Sequence, residues 1–306
     1  MRRALVVLVG AAIALTAERA ACQDEPPQLG ADYGATTAPT PDAPPAANGE
    51  FVPHRAATAL IMFGGGLELG GRSFHYSLSP ANTANLRPYD IFPGPLLWVA
   101  GELYPAAVTD IGFVKDLGLA VSYAHAIGVD AAATQDRTFS VSWTKLLLGL
   151  RYRIRTGDAT DPSLGLGLGY ARQSCIFSAE GDEALDIAGH VASVDYEAVR
   201  PAIDLRIPVG AVSLLAGFAY LGVVSAGEVY DRFTTFNRGT NGTASIGAIE
   251  LLAGLGVEVT PGVELRGTFE YSRYFYSFEP EPGDPYVAGG ALDQFFGIRL
   301  GAFYIY

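Results

Sequence analysis

The chain has 306 residues, a formal net charge of -12, 49% apolar residues and only 17% charged ones, against about 25% charged in an ordinary soluble domain. Two cysteines exclude a disulfide scaffold or a thiolate zinc site, and an acidic chain with scattered arginines is not a phosphate-backbone binder, so no nucleic-acid partner is expected. Low charge with 16 Tyr and 16 Phe excludes disorder along the whole length, yet past the N-terminus no apolar run approaches the ~20 residues of a membrane-crossing helix.

Residues 1–22 read as an export signal. Arg2 and Arg3 supply the basic end, and Ala4 to Leu15 the apolar core. Ala20-Ala21-Cys22 permits two processing routes: cleavage after Cys22, or lipidation of Cys22 as a new N-terminus. Arg19 stands where a lipidation signal usually carries an aliphatic residue. Either route takes the protein out of the cytoplasm. Residues 23–56 are rich in Pro, Ala, Asp and Thr and lack apolar periodicity, so they read as an extended periplasmic linker.

From residue 57 to 306 the pattern changes to period two, the mark of strands. Ten segments follow, near 58–76, 93–104, 116–128, 138–155, 163–177, 193–208, 211–226, 244–260, 262–278 and 290–306. In the ninth, Val263, Leu265, Phe269, Tyr271 and Phe275 oppose Glu264, Arg266, Thr268, Glu270 and Ser272. Each segment meets the ~9–11 residues a tilted strand needs to cross a bilayer. Very short turns (Pro208-Val209-Gly210, Thr260-Pro261-Gly262) alternate with long polar connections such as 179–192 and 227–243. The polar face mixes glycines with isolated Glu and Arg, unlike a soluble surface rich in Lys. Tyr152, Tyr220, Tyr274, Tyr276 and Tyr304 near segment ends suit interfacial girdles. The predicted fold is all-β: an antiparallel, up-and-down, ten-stranded transmembrane barrel.

A signal peptide, ten amphipathic strands and the closing Phe303-Tyr304-Ile305-Tyr306 resemble the outer-membrane β-barrel superfamily, in its OmpA/OmpX-like or omptin-sized members. The resemblance covers about 57–306 and is architectural. It implies an outer-membrane location with both termini in the periplasm. It also implies that the last strand, through Leu300, Ala302, Tyr304 and Tyr306, is the signal read by the barrel-assembly machinery. Lipid and lipopolysaccharide are the expected surroundings, and a monomer the expected state. The peptidoglycan-gripping function of OmpA-type relatives is not expected, since no separate domain follows Tyr306.

With apolar residues toward lipid, the lumen is predicted to hold Glu68, Glu102, Lys145, Arg151, Arg153, Arg200, Asp204, Arg206, Glu250, Glu258, Glu264, Arg266, Glu270, Asp293 and Arg299. Unpaired charge in a narrow interior is costly, so acids and bases are expected to pair and plug the barrel. A narrow solute path lined by the same charges is the alternative. Ten strands argue against an open porin, which takes about 16–18. Neither cofactor nor metal is expected.

Catalytic chemistry is poorly represented. The histidines are His54, His75, His125 and His190, none beside an Asp in sequence. His75 and Ser77 could in principle pair as base and nucleophile, but rim histidines are the expectation and no enzyme is predicted. A membrane-embedded hydrolase remains the remote alternative. Glu180, Asp182, Glu183 and Asp186 form an acidic loop cluster, read as solvated, with a divalent cation shared with lipopolysaccharide headgroups as the alternative. No structural disulfide is expected between Cys22 and Cys175.

Overall fold

The computed structural model describes residues 56–77, 88–109, 111–128, 130–134, 137–157, 161–178, 193–227, 245–278 and 288–306. The expected signal peptide, Cys22, most of the linker and the acidic loop cluster lie outside them. Alternating large and small residues build β1 (Ile61–Ser77), β2 (Tyr89–Leu103), β3 (Leu117–Ala126), β4 (Asp130–Thr134), β5 (Arg137–Arg155) and β6 (Ser163–Ser178). They also build β7 (Val194–Val209), β8 (Val212–Ser225), β9 (Ser245–Thr260), β10 (Val263–Ser277) and β11 (Gly290–Ile305). Each long strand pairs antiparallel with its neighbours in sequence, β1 pairs with β11, and β3 pairs with β5. The result is a closed 10-strand up-and-down barrel.

Two details depart from the predicted segments. The short β4 folds back on one end of β5, Asp130 opposite Ser140, and is not a stave of the barrel. Strand β2 begins at Tyr89 instead of 93. The β1–β2 register shifts between Gly70 and Arg72, which is a bulge. Phe92 and Pro93 therefore both lie on the exterior, while Tyr89, Ile91 and Gly94 lie toward the lumen. The period-two pattern breaks at that point, so it cannot mark the true start.

The two ends differ. Gly210-Ala211 and Pro261-Gly262 make the tightest turns, with Gly210 at φ 61 and Gly262 at φ 76, a left-handed region that favours glycine. This "turn end" also carries the 3₁₀ turn Gly112–Asp116 and both Ile61 and Tyr306. The opposite "loop end" carries the connections 78–88, 179–193, 226–244 and 278–289.

The polarity is inverted relative to a soluble barrel. Leu67, Leu168, Phe269, Ile298 and Leu300 are exposed on the outside, Leu300 by 63%, whereas Glu68, Arg72 and Asp293 are 0% exposed inside. Such a surface suits hydrocarbon, and the chain is a transmembrane β-barrel. The outward positions of β11 from Phe296 to Tyr304 are apolar. At ~3.3 Å per residue and a tilt of roughly 40° they rise about 20 Å, near the ~25 Å apolar band of such barrels. One expectation is corrected here. Tyr274 and Tyr276 are not girdle residues; they are buried inside the lumen, because even positions of β10 face inward. Tyr220 and Tyr304 do face outward.

Candidate functional site

Strand alternation delivers every second side chain to the lumen, and the short Gly residues opposite them make space. A Cβ on Gly297 would sit 2.4 Å from Glu68 Oε1, and one on Gly256 2.6 Å from the Glu264 carboxylate. The charges fill that space in groups. Glu68, on β1, receives Lys145 from β5 and the Nε of Arg299 from β11 at 2.6 Å. Arg299 also donates to Glu270. Arg200 holds Glu250. Arg151 lies between Glu102 and Asp204, 3.2 Å from each. Glu264 is shared by Arg206 and by Arg266, whose Nε donates at 2.9 Å. Glu258 stands apart at the turn end, accepting the Gly262 N–H at 3.4 Å. Arg153 is also at the turn end, donating to the carbonyls of Ala56 at 2.9 Å and Ala59 at 2.8 Å.

Asp293 belongs to the loop-end half, with a partner that the sequence reading missed. Arg72 grips it with both arms of its fork, Nε to Oδ1 at 2.9 Å and Nη2 to Oδ2 at 2.8 Å. Tyr196 donates its hydroxyl to the same Oδ2 at 2.7 Å. The guanidinium is walled by the rings of Tyr89, Phe295 and Phe74, at 4.9, 5.2 and 5.4 Å from their centroids. Trp143 packs on Phe295, and Tyr196 stacks on Tyr274 at 3.8 Å between centroids. Leu96, Trp143 and Cys175 are fully buried. Arg72 could have been found: it shares the face of Glu68, four residues on.

Between this plug and the turn end lie two adjoining cavities. One of about 220 Å³ is lined by Lys145, Arg200, Glu250, Glu270 and Arg299. The other, of about 130 Å³, is lined by Ala56, Met62, Tyr104, Arg153 and Arg206. Glu102, Arg151, Asp204, Arg266 and Thr268 border both. Tyr104 donates to Glu102 at 2.7 Å, and burial together with that carboxylate pushes its phenol up.

The exterior at the loop end is polar. Arg172 donates to both oxygens of Asp195, at 2.8 and 2.6 Å. Arg273, Gln294, Ser73 and Asp90 stand opposite one another across four strands. Here His75 Nε2 meets Ser73 Oγ at 2.6 Å, not Ser77. Asp90 Oδ1 is 3.7 Å from that same nitrogen. A triad would place the carboxylate on the other ring nitrogen, so these three do not have its geometry. Among the described residues no group of three His, Cys, Asp or Glu is placed to hold a metal.

No protein-family model and no curated protein matches the sequence. Among solved structures, the outer-membrane protease OmpT from Escherichia coli is 11% identical, covering 84% of this chain and 98% of that one, with a TM-score of 0.44. Neisserial surface protein A is 10% identical, with 80% and 97% covered and a TM-score of 0.34. A Pseudomonas aeruginosa FadL homologue is 12% identical, with 84% and 96% covered and a TM-score of 0.31.

Proposed function

We propose that the chain serves as a sealed outer-membrane barrel whose role is structural, adhesive or receptor-like and lies at its loop end. The observation that carries this reading is the loop-end cluster: Arg72, Asp293, Trp143 and Phe295 are at most 1% exposed, as packed side chains filling the lumen would be. Its activity then belongs to the surfaces at either side, and the connections longest in sequence fall at the loop end. The barrel sits as a monomer among lipid and lipopolysaccharide, with its termini at the periplasmic turn end. The barrel-assembly machinery reads Leu300, Ala302, Tyr304 and Tyr306, which share the outward face of β11.

The test is conductance of the full chain in planar bilayers. The expected result is no steady ion-selective current. A reproducible open level would overturn the sealed reading and favour a narrow solute channel through the two cavities.

A further inference from the structure

The connections at the turn end are of two kinds. Gly210-Ala211 and Pro261-Gly262 are minimal, and 156–162 reads Thr-Gly-Asp-Ala-Thr-Asp-Pro, without a large apolar side chain. The connection from β2 to β3 is longer and apolar. Its Val108, Ile111 and Phe113 are 78, 62 and 72% exposed, against 63% for Leu300 on the outer wall.

These side chains sit on a held framework. Tyr104, which opens the connection, is fully buried, and its N–H donates to the Leu60 carbonyl at 2.8 Å. Within the connection, Ala107 N–H donates to Tyr104 and Thr109 N–H to Ala106, both at 3.0 Å. The Thr109 hydroxyl takes the same Ala106 carbonyl at 2.8 Å. Val114 N–H meets the Ile111 carbonyl at 3.0 Å. At the far end Asp116 is buried and accepts Arg155 at 3.1 Å.

The ends of the connection say where it lies. Leu103 stands opposite Ile61 and Leu117 opposite Tyr152, each on the last rung of its strand pair. Both leucines are exposed on the outer wall, as is Leu119 beyond. Along the chain the apolar exterior therefore continues past the edge of the wall, from Leu103 through Val108, Ile111 and Phe113 to Leu117. Exposed apolar groups gathered in this way mark a surface that meets a membrane or a partner. Continuity with the lipid face favours the membrane. So does Lys115, one of two lysines in the chain, half-buried between Phe113 and Leu117. A lysine stem runs along apolar surface while its ammonium reaches a phosphate. Segments of that composition lie in the interface with their apolar groups sunk ~5–10 Å, to the boundary of headgroups and acyl chains.

We propose that Val108, Ile111 and Phe113 form a foot that inserts into the phospholipid leaflet at the turn end, beside the barrel wall. The foot fixes the depth and tilt of the barrel on the β2–β3 side, where the other turn-end connections offer the lipid nothing comparable.

The test reads what surrounds the foot. In the full chain with Cys22→Ser and Cys175→Ser, Val108→Cys, Phe113→Cys and, in the polar connection, Thr156→Cys are each labelled with a nitrobenzoxadiazole fluorophore. The proteins are placed in phospholipid nanodiscs, whose two faces are both open to aqueous iodide, so insertion direction does not matter. A phospholipid carrying a nitroxide near the top of its acyl chain is the second quencher. Heat-modifiable gel migration checks that each variant is folded. The probes at 108 and 113 are expected to lose most of their emission to the lipid nitroxide and little to iodide, and the probe at 156 the reverse. Iodide quenching at 108 and 113 equal to that at 156, without lipid quenching, overturns the proposal and leaves the patch as a surface for a protein partner.

Discussion

The two halves of the lumen are built by the same alternation and bury charge in opposite ways. At the loop end one arginine meets one aspartate, fork to carboxylate, inside a jacket of Phe74, Tyr89, Trp143, Tyr196 and Phe295. At the turn end carboxylates are shared, Glu68 and Glu264 each between two cations, and the space between them holds cavities of about 220 and 130 Å³. A water takes about 30 Å³ of liquid volume, so these spaces have room for several. Ion pairs alone do not fill a barrel; long side chains leave gaps that only rings close. The proposed seal falls in the dry half, and the cavities fall in the wet one.

The sharpest way to break this contrast is to remove one partner in each half. Asp293→Ala would leave Arg72 charged and enclosed without its carboxylate. Breaking a buried pair in this way costs about 3–5 kcal/mol. The loss is expected as a lower urea midpoint of the folded barrel in micelles. Arg72→Met with Asp293→Leu should regain most of it, since an apolar replacement leaves neither charge unpaired and the Tyr196 hydroxyl, which loses Asp293, keeps Tyr276. A smaller effect is expected in the wet half. Glu68→Gln keeps the shape but replaces one of the two accepting oxygens with an amide donor, so one of Lys145 and Arg299 loses its acceptor, and both border the adjoining cavity, where water can reach them. A cost of about 1–2 kcal/mol is expected, toward the lower range for a group left imperfectly satisfied. Equal costs for the two single variants would erase the distinction between a dry and a wet half.

The barrel was legible in sequence because its one requirement, an apolar exterior beside a charged interior, is written at period two along every strand. Ten segments, the short turns and the inverted polarity all follow from that. The lumen charges were legible by parity for the same reason. What was not legible is which inward charges meet, since partners on adjacent strands can lie far apart along the chain. Nothing near Asp293 announces Arg72, which is 221 positions away. Tyr274 and Tyr276 read as girdle aromatics by their place near a strand end, and only the inward parity of β10 makes them plug residues. The bulge at Phe92-Pro93 hides the first residues of β2, because two successive outward side chains erase the signal. The segment before β1 was legible least of all. Alanines at 56, 57 and 59 look like the end of an Ala/Pro-rich linker, and their hold is made through backbone carbonyls, which no side-chain pattern records.

The smallest expected effect concerns an ion pair carried on the outside. Arg172 and Asp195 have side chains 46% and 26% exposed, on the exterior face at the loop end. Below them on the same face stand Tyr170, Leu168 and Leu166, the apolar band. If the boundary of the membrane falls between Tyr170 and Arg172, the pair stands among hydrated headgroups. It then behaves as a surface salt bridge, worth about 0–1 kcal/mol and weakened by salt. Arg172→Ala, Asp195→Ala and the double variant form a cycle that isolates the coupling. An interaction below about 1 kcal/mol that shrinks in high salt is expected. A coupling of about 2 kcal/mol or more, insensitive to salt, would place the pair in hydrocarbon. The apolar band would then extend above Tyr170 on β6, and the exterior charges would follow the rules of the dry lumen and not those of water.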